Sequence, residues 1–97
     1  MDPSLQSLVE KVLEDAARRT GMKVDELKVL SAESVTWSDG SLGCPQPGMM
    51  YTQALVPGYR VRIAAAGKVM DYHASARGGF SLCPAGQAVE PTTNDRI

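Results

Sequence analysis

At 97 residues the chain has room for one domain with a thin core, and its 43% apolar content is ordinary for a globular protein. Its net charge is −1, and the ten basic residues are scattered among eleven acids; phosphate binding needs clustered cations, so no nucleic-acid partner is expected. No apolar run approaches the roughly 20 residues that cross a bilayer, which excludes a helical membrane span.

The N-terminus, Met1-Asp2-Pro3-Ser4, has neither the basic start nor the apolar stretch of a signal peptide. As written the sequence reads as cytoplasmic; a periplasmic or secreted protein with its leader removed would read the same. The first element is a helix. Leu5, Leu8, Val9, Val12, Leu13, Ala16 and Ala17 recur at helical spacing and form one apolar stripe, while Glu10, Lys11, Glu14, Asp15 and Arg18 are expected to face water. Asp2 is placed to cap it, Pro3 suits the first helical position, and Gly21 supplies a left-handed stop. Arg18 and Arg19 sit where a helix dipole favours cations.

Met22 to Leu27 reads as a connecting turn with Val24 and Leu27 turned inward. Lys28 to Trp37 reads as a strand whose imperfect alternation predicts a bulge or an edge position. Ser38-Asp39-Gly40-Ser41 is a turn, and the prolines and glycines between Leu42 and Gly58 exclude a helix there. Met49 to Val56 is expected to be extended and to end at Pro57-Gly58. Tyr59, Val61 and Ile63 alternate with Arg60 and Arg62, and after a tight turn at Ala66-Gly67 the strand Lys68–Ala74 returns. In that partner Met70 and Tyr72 share the buried face, and Asp71 and His73 point away into solvent. Phe80 to Cys83 is a last short strand. The predicted fold is α+β: one N-terminal helix packed on a three- to four-stranded antiparallel sheet, in a domain spanning residues 1–83. Residues 84–97 are polar and are expected to be a disordered tail.

Two resemblances bear on this layout. The helix-then-meander order, with Trp37 ending the first strand and the hairpin Gly58–Ile63 to Val69–His73, resembles PepSY and cystatin-like domains. The run Trp37-Ser38-Asp39-Gly40-Ser41-Leu42-Gly43-Cys44-Pro45-Gln46-Pro47-Gly48-Met49-Met50-Tyr51-Thr52-Gln53 looks like that of a group of short uncharacterised bacterial proteins. The second implies a bacterial origin and a shared loop, and no activity. Gln53-Ala54-Leu55-Val56-Pro57-Gly58 also resembles the Gln-x-Val-x-Gly wedge of cystatins, which implies inhibition of cysteine peptidases; one extra residue between Gln53 and Val56 departs from that pattern.

The residues with chemistry are few. Cys44 and Cys83 are the only cysteines and could form a disulfide tying the Pro/Gly loop to the last strand, or remain as two buried thiols. A Cys44 thiolate with His73 as base and Asp39 or Asp71 behind it has the residue types of a thiol enzyme or redox protein. With one histidine and no Cys-x-x-Cys, no metal site is expected, and no cofactor signature is present. The remaining candidate is the loop itself. Leu42, Met49, Met50 and Tyr51, with Gln53 beside them, either fold back over the thin core or form an exposed patch for a protein or peptide. The preferred expectation is a small non-enzymatic binding domain using loop 42–58; the alternatives are the cystatin-like inhibitor and the thiol enzyme. Nothing in the sequence sets the oligomeric state.

Overall fold

The computed structural model describes residues 3–95. Helix α1 (Pro3–Thr20) is followed by a single 3-10 turn (Val24–Glu26) and then five strands: β1 (Lys28–Trp37), β2 (Val56–Ala65), β3 (Lys68–Ser75), β4 (Gly78–Cys83) and β5 (Thr93–Asp95). The sheet is antiparallel throughout, in the order β4-β3-β2-β1-β5. One helix on an antiparallel sheet is the expected α+β arrangement. The cap assigned to Asp2 lies outside the described residues.

Helix α1 begins at Pro3, where a missing N–H costs nothing, and stops at Gly21, whose φ of 74° is the left-handed conformation and whose N–H reaches the Ala17 carbonyl at 2.8 Å. Leu5, Val12 and Ala16 are buried against Val61, Ile63 and Tyr72, with Leu8, Val9, Leu13, Tyr59 and Met70 around them. The 3.6-residue stripe of the helix therefore meets the two-residue alternation of β2 and β3 as predicted.

Asp15 departs from expectation. It is buried rather than solvated, accepts a hydrogen bond from the Tyr72 hydroxyl at 2.7 Å, and pairs with Arg18 and with Arg19 Nε at 2.6 Å. The partner that draws it inward lies 57 positions away on β3, so helical periodicity alone could not reveal it. Val24 departs in the other sense: it is exposed, and of the two turn residues only Leu27 packs on the core.

The β1 irregularity is a bulge: the register with β2 shifts between Val29 and Ser31 and leaves Leu30 without a partner. Ala66 and Gly67, with φ of 50° and 80°, make the tight two-residue turn that type I′ geometry demands. Strand β2 starts earlier than expected, at Val56, so Pro57 and Gly58 belong to the strand instead of stopping one, and residues 49–55 form no strand. Pro57 is tolerated because a residue's carbonyl and N–H point to the same neighbour in an antiparallel ladder. Its carbonyl accepts from Ala76 at the end of β3, so the missing N–H costs no bond to β1.

Residues 84–95, whose composition suggests disorder, run back across the sheet to β1. Thr92 N–H donates to the Thr36 carbonyl at 2.8 Å, and β5 pairs with Ser34–Thr36.

Candidate functional site

Alternation places Glu33, Val35 and Trp37 of β1, Arg60 of β2, Asp71 and His73 of β3 and Cys83 of β4 on the face of the sheet opposite α1. Alternation alone predicts solvent there. Instead loop 38–55 and the segment after Cys83 fold over it, and Trp37, His73, Arg60 and Glu33 are all buried. An antiparallel sheet can face water on one side, so the parity of Arg60, Asp71 and His73 was legible in sequence while their burial was not.

Trp37 is the centre of this second layer. Its indole crosses Gly58 and donates through Nε1 to the Ala74 carbonyl at 3.0 Å, and its ring stacks on His73 with centroids 4.5 Å apart and planes 22° from parallel. Two glycines make this possible. A Cβ on Gly58 would overlap the Ala74 carbonyl oxygen and approach the indole nitrogen to 2.8 Å, while one on Gly43 would lie 2.6 Å from the indole Cε3 and 2.7 Å from the Val89 carbonyl oxygen. The loop thus rests on the indole through a backbone that has no side chain there to lift it.

His73 fastens the loop from below. Its Nδ1 lies 2.6 Å from the Leu42 carbonyl oxygen; an oxygen of that kind only accepts, so Nδ1 carries the hydrogen. Leu42 itself has φ of 55°, a conformation costing roughly 1–2 kcal/mol for a residue with a side chain. The hydrogen bond to a fully buried ring helps to offset that cost.

Beside it Arg60 forms a two-point pair with Asp71, at 3.0 and 2.8 Å, and reaches Glu90 at 2.8 Å; Arg62 lies 3.5 Å from the buried Glu33. His73 Nε2 lies 3.1 Å from Asp71 Oδ2. Glu90 was missed in sequence because nothing local marks one acid of a polar segment as the partner of a buried arginine 30 residues earlier.

These pairs predict an acid-sensitive fold. Burial pushes the Asp71 carboxyl up, but His73 and Arg60 outweigh it and hold it at about 2, below the ordinary 3.8. Burial likewise opposes ionisation of Asp15, and the Tyr72 hydroxyl with Arg19 outweighs it, so that carboxyl also lies low. A depressed folded-state value stabilises fully above the unfolded value and is lost as pH falls through the folded one. Urea unfolding midpoints should therefore be flat near neutrality and drop from about pH 4 toward pH 2. In Asp71→Asn that acid limb should be shallower; an unchanged limb would show that Asp71 does not carry it.

The sequence-nominated residues separate into two groups. Cys44 and Cys83 are joined in a disulfide with Cα atoms 5.8 Å apart, tying the loop to β4. Leu42 and Tyr51 are half-buried; Leu42 presents its carbonyl to His73, and the Tyr51 hydroxyl accepts the Gln46 N–H at 3.0 Å. Met49, Met50 and Gln53 are exposed, with Met50 95% accessible and Met49 61%. Leu55 is exposed on the same segment, at 64%. The ends of the loop are held by an Asp39–Ser41 turn, by Gly40 N–H donating to Thr52 at 2.9 Å, and by Val89 N–H donating to Gly43 at 2.8 Å.

A family model described as a domain of unknown function, DUF8738, matches residues 9–83. The chain belongs to this family. The DUF8738 span includes Trp37, Gly43, Gly58, His73 and both ends of the disulfide, and it ends at Cys83, before the segment that supplies Val89 and Glu90. No curated protein and no solved structure matches the chain. The likeness to the DUF8738 family is thus one of domain, and it brings no activity with it.

Proposed function

We propose that this is a non-enzymatic binding domain that holds a protein or peptide against loop 42–58. The observation that carries the reading is the near-complete exposure of Met50, flanked by Met49 and Leu55, on a loop tied to the sheet by Cys44–Cys83 and by the Trp37–His73 stack. Large apolar side chains held out from a thin core leave stability unused. Methionine adapts its shape to a partner, and a loop already fixed in place loses little entropy on binding. Gln53, exposed on the same segment, adds a polar contact.

The alternatives have less support. In the cystatin-like reading, residues 53–58 would form the wedge, yet Val56, Pro57 and Gly58 are engaged in β2 and Gly58 is buried under the indole. The thiol-enzyme reading needs a free Cys44, whose sulfur is bonded to Cys83. The helix-on-meander layout that resembles PepSY and cystatin-like domains speaks to fold alone. Among the described residues no helix is long and apolar enough to cross a membrane, and the disulfide favours an oxidising compartment, periplasmic or extracellular.

The test is a displayed peptide library selected against the oxidised domain. Binders should lose about tenfold or more in affinity for the Met49→Ser, Met50→Ser double variant, while its stability stays within about 0.5 kcal/mol of the parent because both side chains are exposed. Selected peptides indifferent to both substitutions, or a double variant that unfolds, would remove the reading.

A further inference from the structure

Helix α1 approaches β2 and β1 most closely, and near the β3–β4 turn its first half stands off from the inner face of the sheet. A cleft of about 760 Å³ opens there, between the first half of α1 and that turn. This volume lies within the range of small-molecule sites, roughly 300–1,000 Å³. Its floor is apolar, formed by Leu8, Tyr59 and Phe80, and Ser7 lines the helix side. Lys11 stands on one wall and Arg77 on the other, and none of the described lining residues is acidic, in a chain that carries eleven acids.

The charges decide what the cleft can hold. Arg18, Arg19, Arg60 and Arg62 each pair with a carboxylate; among the described residues Arg77 is the arginine that does not, and Lys11 has no ion pair either. Two cations with no carboxylate partner among the described residues, above an apolar floor, complement a molecule with an apolar body and one negative end. A guanidinium fork matches a carboxylate in particular, because its two parallel N–H groups meet both oxygens.

We propose that this cleft binds a small amphipathic monocarboxylate, its chain or ring on Leu8, Tyr59 and Phe80 and its carboxylate between Lys11 and Arg77. The site lies on the helix side of the sheet, opposite the face covered by loop 38–55, so it is independent of the binding surface proposed above.

The experiment uses the full oxidised chain and decanoate as the probe, followed by amide chemical shifts, with decyltrimethylammonium as a control of equal chain length and opposite charge. Decanoate should produce saturable shifts at Ser7, Leu8 and residues 77–80, and the cation should bind at least about tenfold more weakly. Lys11→Gln and Arg77→Gln should each weaken decanoate by about tenfold, the loss of one charge-assisted hydrogen bond. Both residues are exposed and have no ion-pair partner among the described residues, so the fold is retained. Ser7→Trp, also at an exposed helix position, should fill the cleft and abolish binding with helical circular dichroism unchanged. Non-saturable shifts, equal affinity for the two detergents, shifts confined to residues 49–55, or indifference to the three variants would each overturn the proposal.

Discussion

Replacing Trp37 with alanine is expected to lower the unfolding free energy by about 3–5 kcal/mol, the range for removing a large buried aromatic ring. The indole is fully buried, fills the space over Gly58, supports Gly43 and stacks on His73. In a domain of this size that loss consumes most of the stability available. Trp37→Phe separates the contributions: it keeps much of the apolar volume but removes the indole N–H that donates to the Ala74 carbonyl, at about 0.5–1.5 kcal/mol. Urea titration of both variants, with amide exchange of residues 40–52, checks the assignment. The alanine variant should release the loop to exchange well before the helix and the β2–β3 hairpin do. Loss of stability with the loop still protected would show that the ring serves only the sheet.

Reduction of the Cys44–Cys83 bond should cost about 4 kcal/mol, the chain-entropy value for closing a segment of this length, here with a sequence separation of 39. The closed segment contains β2, β3 and β4 as well as most of the loop, so the crosslink constrains the unfolded chain across most of the sheet. The double variant Cys44→Ser, Cys83→Ser should unfold at lower urea with a steeper denaturant dependence, because its unfolded state is more open. A midpoint within error of the parent would mean that the noncovalent seat of the loop, on Trp37 and His73, is sufficient by itself. The costs of Trp37→Ala and of reduction should not add, since both release the same segment and the second has less left to remove. The same comparison bears on binding. If ordering of Met49, Met50 and Leu55 is what prepares the loop for a partner, reduction should weaken selected peptides even where the sheet survives.

The interior of the molecule makes the acid sensitivity and the loop anchor parts of one device. Asp71 is held ionised beside His73 and Arg60; His73 holds the Leu42 carbonyl, and Arg60 holds Glu90 in the segment that also clasps Gly43 through Val89. Protonating Asp71 therefore loosens the loop from beneath as well as lowering global stability. The expected sign is that peptide affinity at the loop falls over the same acid range in which the unfolding midpoint falls.

Local sequence determined the elements and their inner face. A stripe at 3.6 residues from Leu5 to Ala17, alternation at Tyr59, Val61 and Ile63, and an Ala66-Gly67 turn are patterns read within a few positions, and those periods are enough to turn the apolar side of α1 onto the apolar face of the sheet. The bulge in β1 was legible for the same reason, as a break in parity. Tertiary structure alone decided the outer face. Alternation assigns Arg60, Asp71 and His73 to one side of a sheet without saying whether that side is wet, and the answer came from contacts 30 or more positions apart: Leu42 on His73, Glu90 on Arg60, Cys44 on Cys83. The same holds for Asp15, drawn inward by Tyr72, and for the division of the loop into anchored Leu42 and Tyr51 and exposed Met49 and Met50. Residue type fixes what a side chain can pair with; only the folded chain brings the partner within reach.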